Sequence, residues 1–296
     1  MVKYHSSLCV VKKERMSMPN YFAHLTFGAQ CLDRLPQALR LRLERERPAF
    51  DLGCLGPDPL FFYRVGRPNA VRREGMAMHA RSAMPAFERL RGALEEGMPM
   101  ASGYAAGFLC HLALDHACHK WVDQQAAAGP VTHLAMEAEF DRLLMERAGL
   151  ASLGHSYLPE PPSMEVFAAA ARAYTKSAPA QVEEGYRSMC RDTALFARLS
   201  GHKLSRPVNH LVGTLPALRA LRGVFLTTDS HSRYAMSNDF LTRRFTDTIP
   251  EAANQIVRLF RAVESGAALD PWLDRDFKGL LPQEAPHGIP TSAPAY

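Results

Sequence analysis

The sequence predicts an all-α protein, and three observations support this class. Apolar residues recur with helical spacing along most of the chain, the alternation typical of strands is almost absent, and Gly and Pro interrupt the helical pattern at intervals. The chain has 296 residues, of which 47% are hydrophobic and 22% charged, so it is long enough to bury one large core. We therefore expect a single multi-helix domain.

The helical segments can be assigned in order along the chain. An Arg-rich amphipathic helix is predicted from Leu32 to Arg47 and closed by Pro48, whereas the many Gly and Pro of residues 50–79 predict an ordered loop or short turns. The other predicted helices are Ala80–Glu96, Ser102–Asp123, His133 to about Ala148, Ser163–Ser200 with a break or kink at Pro179, Leu215–Phe225 and Ile249–Glu264.

The two ends of the chain are expected to lie outside this domain, which would span residues 18–281. Residues 1–17 are predicted to be a mobile extension or to precede a true start at Met18, and the Pro-rich residues 282–296 are expected to be disordered. We find neither the apolar region of a signal peptide nor a segment of membrane-spanning length, which predicts a cytoplasmic protein.

Charge and cysteine content exclude only a few classes of function. The net charge of +5 and the pI of about 8.9 permit anionic substrates such as phosphoesters, but Arg is spread along the chain and gives no specific nucleic-acid signal. The cysteines are scattered without a CxxC pair, so we interpret them as reduced core thiols. They are Cys9, Cys31, Cys54, Cys110, Cys118 and Cys190.

The segment Ser102–Asp123 is apolar on nearly every side, which predicts a buried central helix. His111, Asp115 and His119 lie four residues apart within it and therefore share one face. At about 1.5 Å per residue the two histidines would be roughly 12 Å apart, too far for one ion with bonds of about 2 Å. We expect at least two ions with Asp115 as a bridge between them, and His116 competes with His119 for the last position.

The next predicted helix repeats this spacing with His133, Glu137 and Asp141. Two helices joined by a short connection should pack antiparallel, so that their polar stripes face each other. Imidazole and carboxylate ligands suit zinc, and also iron or manganese. We expect His133 and Glu137 to be ligands and Asp141 to be a supporting or surface carboxylate.

A polar core without metal is the alternative interpretation of these residues. Burying several ionisable groups costs several kcal/mol each unless they are paired or bind metal, which favours the metal site. His24, Asp58 and His79 also lie in apolar or Gly/Pro-rich surroundings. Taken alone, each of the three is more readily explained as a turn or surface residue.

Taken together, these motifs resemble the zinc-dependent phospholipase C family over roughly residues 18–150. The motifs, in order, are Tyr21-Phe22-Ala23-His24, Gly56-Pro57-Asp58-Pro59-Leu60-Phe61, His79, His111/Asp115/His119 and His133/Glu137. The resemblance implies an all-α fold, shared with single-strand-specific zinc nucleases, with up to three zinc ions at the base of a cleft. It implies that the metal ligands are His24, Asp58, His79, His111, Asp115, His119, His133 and Glu137, with Asp58 also a candidate general base.

Two features differ from secreted members of that family. Those proteins bind one metal through the amino end of an N-terminal Trp, whereas no Trp stands near the start of this chain. They also space the bridging Asp further from the next His than Asp115 is from His119.

We expect a metal-dependent phosphoric ester hydrolase that acts on a small phosphoester or a phospholipid head group. The alternative is a non-catalytic metal-binding helical protein that binds a phosphate-bearing ligand or partner. An HD-type phosphohydrolase, a ferritin-like di-iron bundle and a HExxH metalloprotease each require a motif that the sequence lacks in a suitable place. A cleft that reaches the metals would favour the enzyme, because structural metal sites are closed.

Overall fold

The computed structural model describes residues 21–201, 203, 205–215, 222–227 and 231–280, and every regular element within these ranges is helical. The described helices are α1 (Tyr21–Leu32), α2 (Gln37–Arg45), α3 (Arg47–Cys54), α4 (Ala70–His79), α5 (Met84–Glu95), α6 (Ala101–Ala128), α7 (His133–Arg147), α8 (Met164–Ala171), α9 (Pro179–Leu199), α10 (Ser205–Thr214) and α11 (Ala235–Ser265). Short 3-10 helices span Asp58–Phe62, His231–Tyr234 and Pro271–Leu273. The predicted all-α, single-domain class is confirmed.

Helix α6 is the centre of the molecule, as the sequence predicts. It contacts α1, α2, α3, α5, α7, α8 and α11, and nearly every residue from Ala101 to Asp115 is buried. No helix in the described part of the chain is long and apolar enough to cross a membrane.

Helices α3 and α6 approach each other so closely that only glycine fits at their contact. A Cβ on Gly53 of α3 would meet the carbonyl oxygen of Tyr104 and the amide of Phe108. A Cβ on Gly107 of α6 would meet the carbonyl oxygen of Phe50. Backbone atoms cannot move aside as side chains do, so this contact fixes the position of the end of α3 against the middle of α6.

The predictions for residues 32–79 are partly wrong. Leu32 is the last residue of α1, and the amphipathic segment becomes helical only at Gln37. Residues 50–79, predicted as an ordered loop or short turns, instead contain the end of α3, a 3-10 helix and α4. Pro48 stands in the first turn of α3, where its missing N–H leaves no intrahelical bond unmade, and Gly53 serves packing rather than a turn.

The second half of the chain departs from prediction mainly at helix ends. The break at Pro179 is confirmed, because this residue begins α9. Helix α5 begins at Met84, and the segment predicted from Ile249 belongs to α11, which begins at Ala235 and continues through Pro250. The predicted helix Leu215–Phe225 is wrong at both described ends, since Leu215 follows α10 and residues 222–225 are not helical.

The predicted extension 1–17 and tail 282–296, with Cys9, lie outside the described residues. Of the other cysteines, Cys190 is half-buried and the rest are buried, as expected of core thiols.

The last described residues pack back onto α6. A Cβ on Gly279 would meet the carbonyl oxygen of His116 there.

Candidate metal centre

The stripe predicted on α6 is present and lies in the protein interior. His111 is fully buried, Asp115 is 2% exposed, and His119 follows one turn later on the same face. Helix α6 can hold these groups because the elements around it supply polar partners, which offset the cost of removing them from water.

Asp115 is the centre of a set of four imidazoles. Its Oδ1 lies 3.2 Å from Nε2 of His24 and 3.4 Å from Nε2 of His119, and its Oδ2 lies 3.3 Å from Nε2 of His111 and 3.7 Å from Nε2 of His79. Two ligands of a tetrahedral zinc with bonds of about 2.0–2.1 Å lie roughly 3.3 Å apart. The spacing of Asp115 from three of these imidazoles is therefore compatible with ligands of a shared ion.

Asp58 approaches the same set from the start of its 3-10 helix. Its Oδ1 lies 3.2 Å from Nε2 of His79 and 4.0 Å from Nε2 of His111. The turn before it is held by Tyr174, whose hydroxyl donates to the carbonyl oxygen of Gly56 at 3.0 Å. Gly56 has a φ of +53°, and a Cβ there would strike the ring of His111.

Backbone carbonyls orient two of the imidazoles. The Nδ1 of His79 lies 2.9 Å from the carbonyl oxygen of Gly75, and the Nδ1 of His111 lies 3.1 Å from that of Cys54. A carbonyl oxygen can only accept, so each Nδ1 carries a proton and donates it. In the neutral ring each Nε2 is then an acceptor that faces carboxylate oxygens, and two facing acceptors need a cation between them.

A second group lies between α6 and α7. Nε2 of His119 is 3.2 Å and Nε2 of His133 is 2.8 Å from Oε1 of Glu137, and Nδ1 of His133 is 2.8 Å from Oδ1 of Asp123. This arrangement of carboxylate, imidazole and carboxylate resembles the supported histidine ligands of zinc sites.

Charges within this second group shift the pKa values of its members. Burial alone would lower the pKa of His133, but the attraction of Glu137 and hydrogen bonds to Asp123 and Glu137 raise it to about 10. Burial would likewise lower the pKa of His119, and Asp115 and Glu137 raise it to about 9. Burial would raise the pKa of Glu137, but the two histidines lower it to about 2. The group therefore attracts a positive charge strongly.

Several buried polar atoms of these groups make no hydrogen bond within the described residues. They are Nδ1 of His24, Nε2 of His111, Oδ2 of Asp115 and Oε2 of Glu137. Leaving such atoms unpaired in the interior costs about 1–3 kcal/mol each. A bound cation would satisfy the ones that face the centre, so the residues present fit a metal.

Comparison with known proteins agrees with this geometry. The model of the family described as zinc dependent phospholipase C matches residues 23–193, which is more than half of the chain. The chain belongs to the zinc-dependent phospholipase C family. Neither the curated proteins nor the solved structures yielded a match.

The matched region of this zinc-dependent phospholipase C family member includes every predicted ligand, and the structure brings all of them together. Ligand atoms lie within 4.8 Å of one another in three groups, namely His24/Asp58/His111, His79/His111/Asp115 and His119/His133/Glu137. Membership of the family supports a metal-dependent, phospholipase-like function.

Two residues that the sequence left open are placed elsewhere. The Nδ1 of His116 lies 2.9 Å from the carbonyl oxygen of Asp276, so this imidazole is directed away from Glu137 while His119 faces it. Asp141 is buried and accepts from the amides of Phe22 and Ala23 at 3.0 and 2.8 Å, and it thereby caps the first turn of α1. Its role is to hold the helix that carries His24.

Sequence reasoning missed two members of the site. Asp123 lies four residues after His119 and continues the stripe, so its spacing was a usable signal. Phe277 is fully buried with its ring 5.1 Å from that of His79 and 5.5 Å from that of His111. An isolated aromatic residue near the end of the chain gives no sign of such a position.

Proposed function

We propose that this protein is a zinc-dependent phosphodiester hydrolase. The observation that carries the proposal is the set of imidazole nitrogens and carboxylate oxygens around Asp115, which face each other at 3.2–3.7 Å with unpaired buried atoms among them. The proposed ligands, for two or three ions, are His24, Asp58, His79, His111, Asp115, His119, His133 and Glu137.

The two oxygens of Asp115 support a bridging role. Oδ1 faces His24 and His119, whereas Oδ2 faces His111 and His79. A carboxylate placed in this way can serve two ions, and the mixed imidazole and carboxylate set suits zinc, with iron or manganese as alternatives. Zinc in such a site supplies Lewis acidity, which lowers the pKa of water and polarises phosphoryl oxygens.

Asp58 is the proposed general base. It is 4% exposed and its Oδ1 is directed toward His79 and His111, so its carboxylate borders the place where a phosphoester would react. A carboxylate within hydrogen-bond reach of the attacking water can accept its proton as the bond to phosphorus forms. His79 and His111, held through their Nδ1 atoms, keep that carboxylate and the reacting group in a fixed relation.

Partial exposure favours catalysis over a closed structural site. The side chains of His133, His119 and His79 are 23%, 16% and 11% exposed, whereas those of His24, His111 and Asp115 are at most 4% exposed. The centre thus combines partly exposed histidines with almost fully buried ligands. A small phosphoester or a phospholipid head group, both anionic at phosphorus, is the proposed substrate class.

Metal analysis tests this proposal. Purified wild type should contain two or three zinc ions per chain and should hydrolyse a p-nitrophenyl phosphodiester, whereas Asp115→Ala should lose most of both. Asp58→Asn should keep most of its metal and lose most of its activity. Asp239→Ala is the matched control, because that carboxylate is 65% exposed on α11. A wild type that binds zinc in full and hydrolyses no phosphoester would support the non-catalytic alternative.

A further inference from the structure

Described residues between Leu195 and Met236 form a small lobe against α7, the helix that carries His133 and Glu137. Its own apolar core consists of Val212, Val224 and Phe225 with Leu134 of α7, and it is separate from the main core. We call the described residues 195–201, 203, 205–215, 222–227 and 231–236 the basic lobe. It lies beyond the part of the chain that the family model matches, which ends at residue 193.

The basic lobe is attached to α7 and to the residue that precedes it, next to His133 of the centre. The hydroxyl of Thr132 donates to the carbonyl oxygen of Arg222 at 2.8 Å, and Arg142 donates to that of Thr227 at 2.6 Å. Leu134, which belongs to the core of the lobe, directly follows His133, the most exposed histidine of the centre. The lobe is therefore anchored on the helix that supplies His133 and Glu137 to the centre.

The surface of the lobe is unusually apolar. The described chain has eight large hydrophobic side chains that are well exposed, and four of them belong to the lobe. They are Leu195, Leu211, Leu215 and Met236, at 55%, 60%, 44% and 66% exposure. Single exposed apolar residues are ordinary, whereas this one short segment holds half of the well-exposed large hydrophobic residues of the described chain.

The same segment carries the excess positive charge of the protein. From Leu195 to Met236 the sequence has six Lys or Arg and one Asp, a net charge of +5, which equals the +5 of the whole chain. The remainder of the protein is therefore neutral overall. Arg198, Lys203, Arg222 and Arg233 are all exposed.

We propose that the basic lobe docks the protein onto an anionic phospholipid surface. Exposed leucine and methionine side chains can enter the boundary between head groups and acyl chains, while neighbouring Lys and Arg are attracted to anionic lipids. The proposed contact is with the surface of the bilayer. The inference concerns binding and does not depend on hydrolysis by the metal centre.

Sedimentation of the full-length protein with lipid vesicles tests the inference. Binding to phosphatidylcholine vesicles that contain about one third phosphatidylglycerol should be at least tenfold tighter than to pure phosphatidylcholine, since each Lys or Arg near the surface contributes on the order of fivefold. Raising NaCl from about 0.1 M to about 1 M should abolish the preference, because the screening length falls from about 10 Å to about 3 Å.

Two double variants separate the charged and apolar contributions. Arg198→Gln with Arg233→Gln should weaken binding to the anionic vesicles by about 25-fold, at about fivefold per charge. Leu211→Ser with Met236→Ser should weaken binding to both compositions. Leu41→Ser with Arg187→Gln is the matched control outside the lobe, at 47% and 57% exposure, and should bind as wild type does.

Asp58→Asn keeps this test independent of the proposed reaction. This variant should bind vesicles as tightly as wild type even when it hydrolyses nothing. Equal binding of wild type to both compositions, or lobe variants that bind as the control does, would overturn the inference. Self-association of wild type that the lobe variants lose, without vesicle binding, would assign the surface to a second copy of the chain and also overturn it.

Discussion

His119 lies one helical turn beyond Asp115 on α6, with its Nε2 3.4 Å from Oδ1 of Asp115 and 3.2 Å from Oε1 of Glu137. This imidazole therefore connects the group around Asp115 with the group around Glu137. The two groups share one helix, and a displacement of α6 would move both at once. His116 cannot replace His119 in this position, because its imidazole faces the carbonyl oxygen of Asp276.

Replacing His119 should remove metal from the second group alone. We expect His119→Ala to lose about one zinc ion per chain, because only His133 and Glu137 would remain there and zinc sites use at least three protein ligands. His116→Ala is the control, since that ring faces the carbonyl oxygen of Asp276, and it should retain the full content. Elemental analysis measures both. The reverse pattern would show that His116 is the ligand.

Asp123 should act through His133 rather than on the metal. Asp123→Asn removes the charge that orients His133, which should weaken zinc binding in the second group by about 10- to 100-fold while leaving the number of sites unchanged. Titration against a chelator of known affinity gives the value. Asp239→Asn, also an exposed carboxylate on a helix, should show no change. An unaltered affinity in Asp123→Asn would remove this residue from the site.

The metal-free protein should lose stability as the pH rises from neutral. The pKa of His119 is raised to about 9 and that of His133 to about 10, so their contribution is complete below about 6.5 and lost as pH rises through 9 to 10. The lowered pKa of Glu137, about 2, acts oppositely: its contribution is present above about 4.5 and lost as pH falls through 2. Urea unfolding of the chelator-treated protein across this pH range measures the loss of stability at high pH and at low pH.

Zinc uptake should also release protons, because only neutral imidazole binds metal. At neutral pH the two histidines of the second group are protonated, so we expect release of about two protons per chain. Calorimetry in two buffers of different ionisation enthalpy gives the number. His133→Ala should release fewer, and a value near zero in wild type would contradict the raised pKa values.

The glycine contact between α3 and α6 should be intolerant of one added methyl group. Gly107→Ala places a Cβ against the carbonyl oxygen of Phe50, so we expect a loss of about 3 kcal/mol in the free energy of unfolding. Gly92→Ala on α5 meets nothing within 4 Å and should instead gain about 0.5–1 kcal/mol. Urea denaturation compares the two. Equal stabilities would show that the helices can separate at little cost.

The sequence was most informative where one helix determines the spacing. The stripe of His111, Asp115 and His119 follows from helical geometry alone, and the structure places the three as that geometry requires. The position of Asp58 was less accessible to such reasoning, because its 3-10 helix brings it to His79 and His111 only through packing between distant segments.

Glycine and proline misled the prediction for residues 50–79. The same residue types that end helices also permit close packing and occupy first turns, as Gly53 and Pro48 do. Local sequence does not distinguish these uses, since the partner helix α6 lies about fifty residues further along the chain. The contact of Phe277 with two histidines was unpredictable for the same reason. Nothing in the sequence near position 277 indicates which residues it will contact.

The place of Phe277 has a consequence for the order of events during synthesis. All eight candidate ligands precede residue 138, whereas Phe277, which covers His79 and His111, is added about 140 residues later. At about 5–20 residues per second the ribosome takes roughly 7 to 28 s over that interval. All the candidate ligands are thus synthesised well before Phe277 can contact His79 and His111.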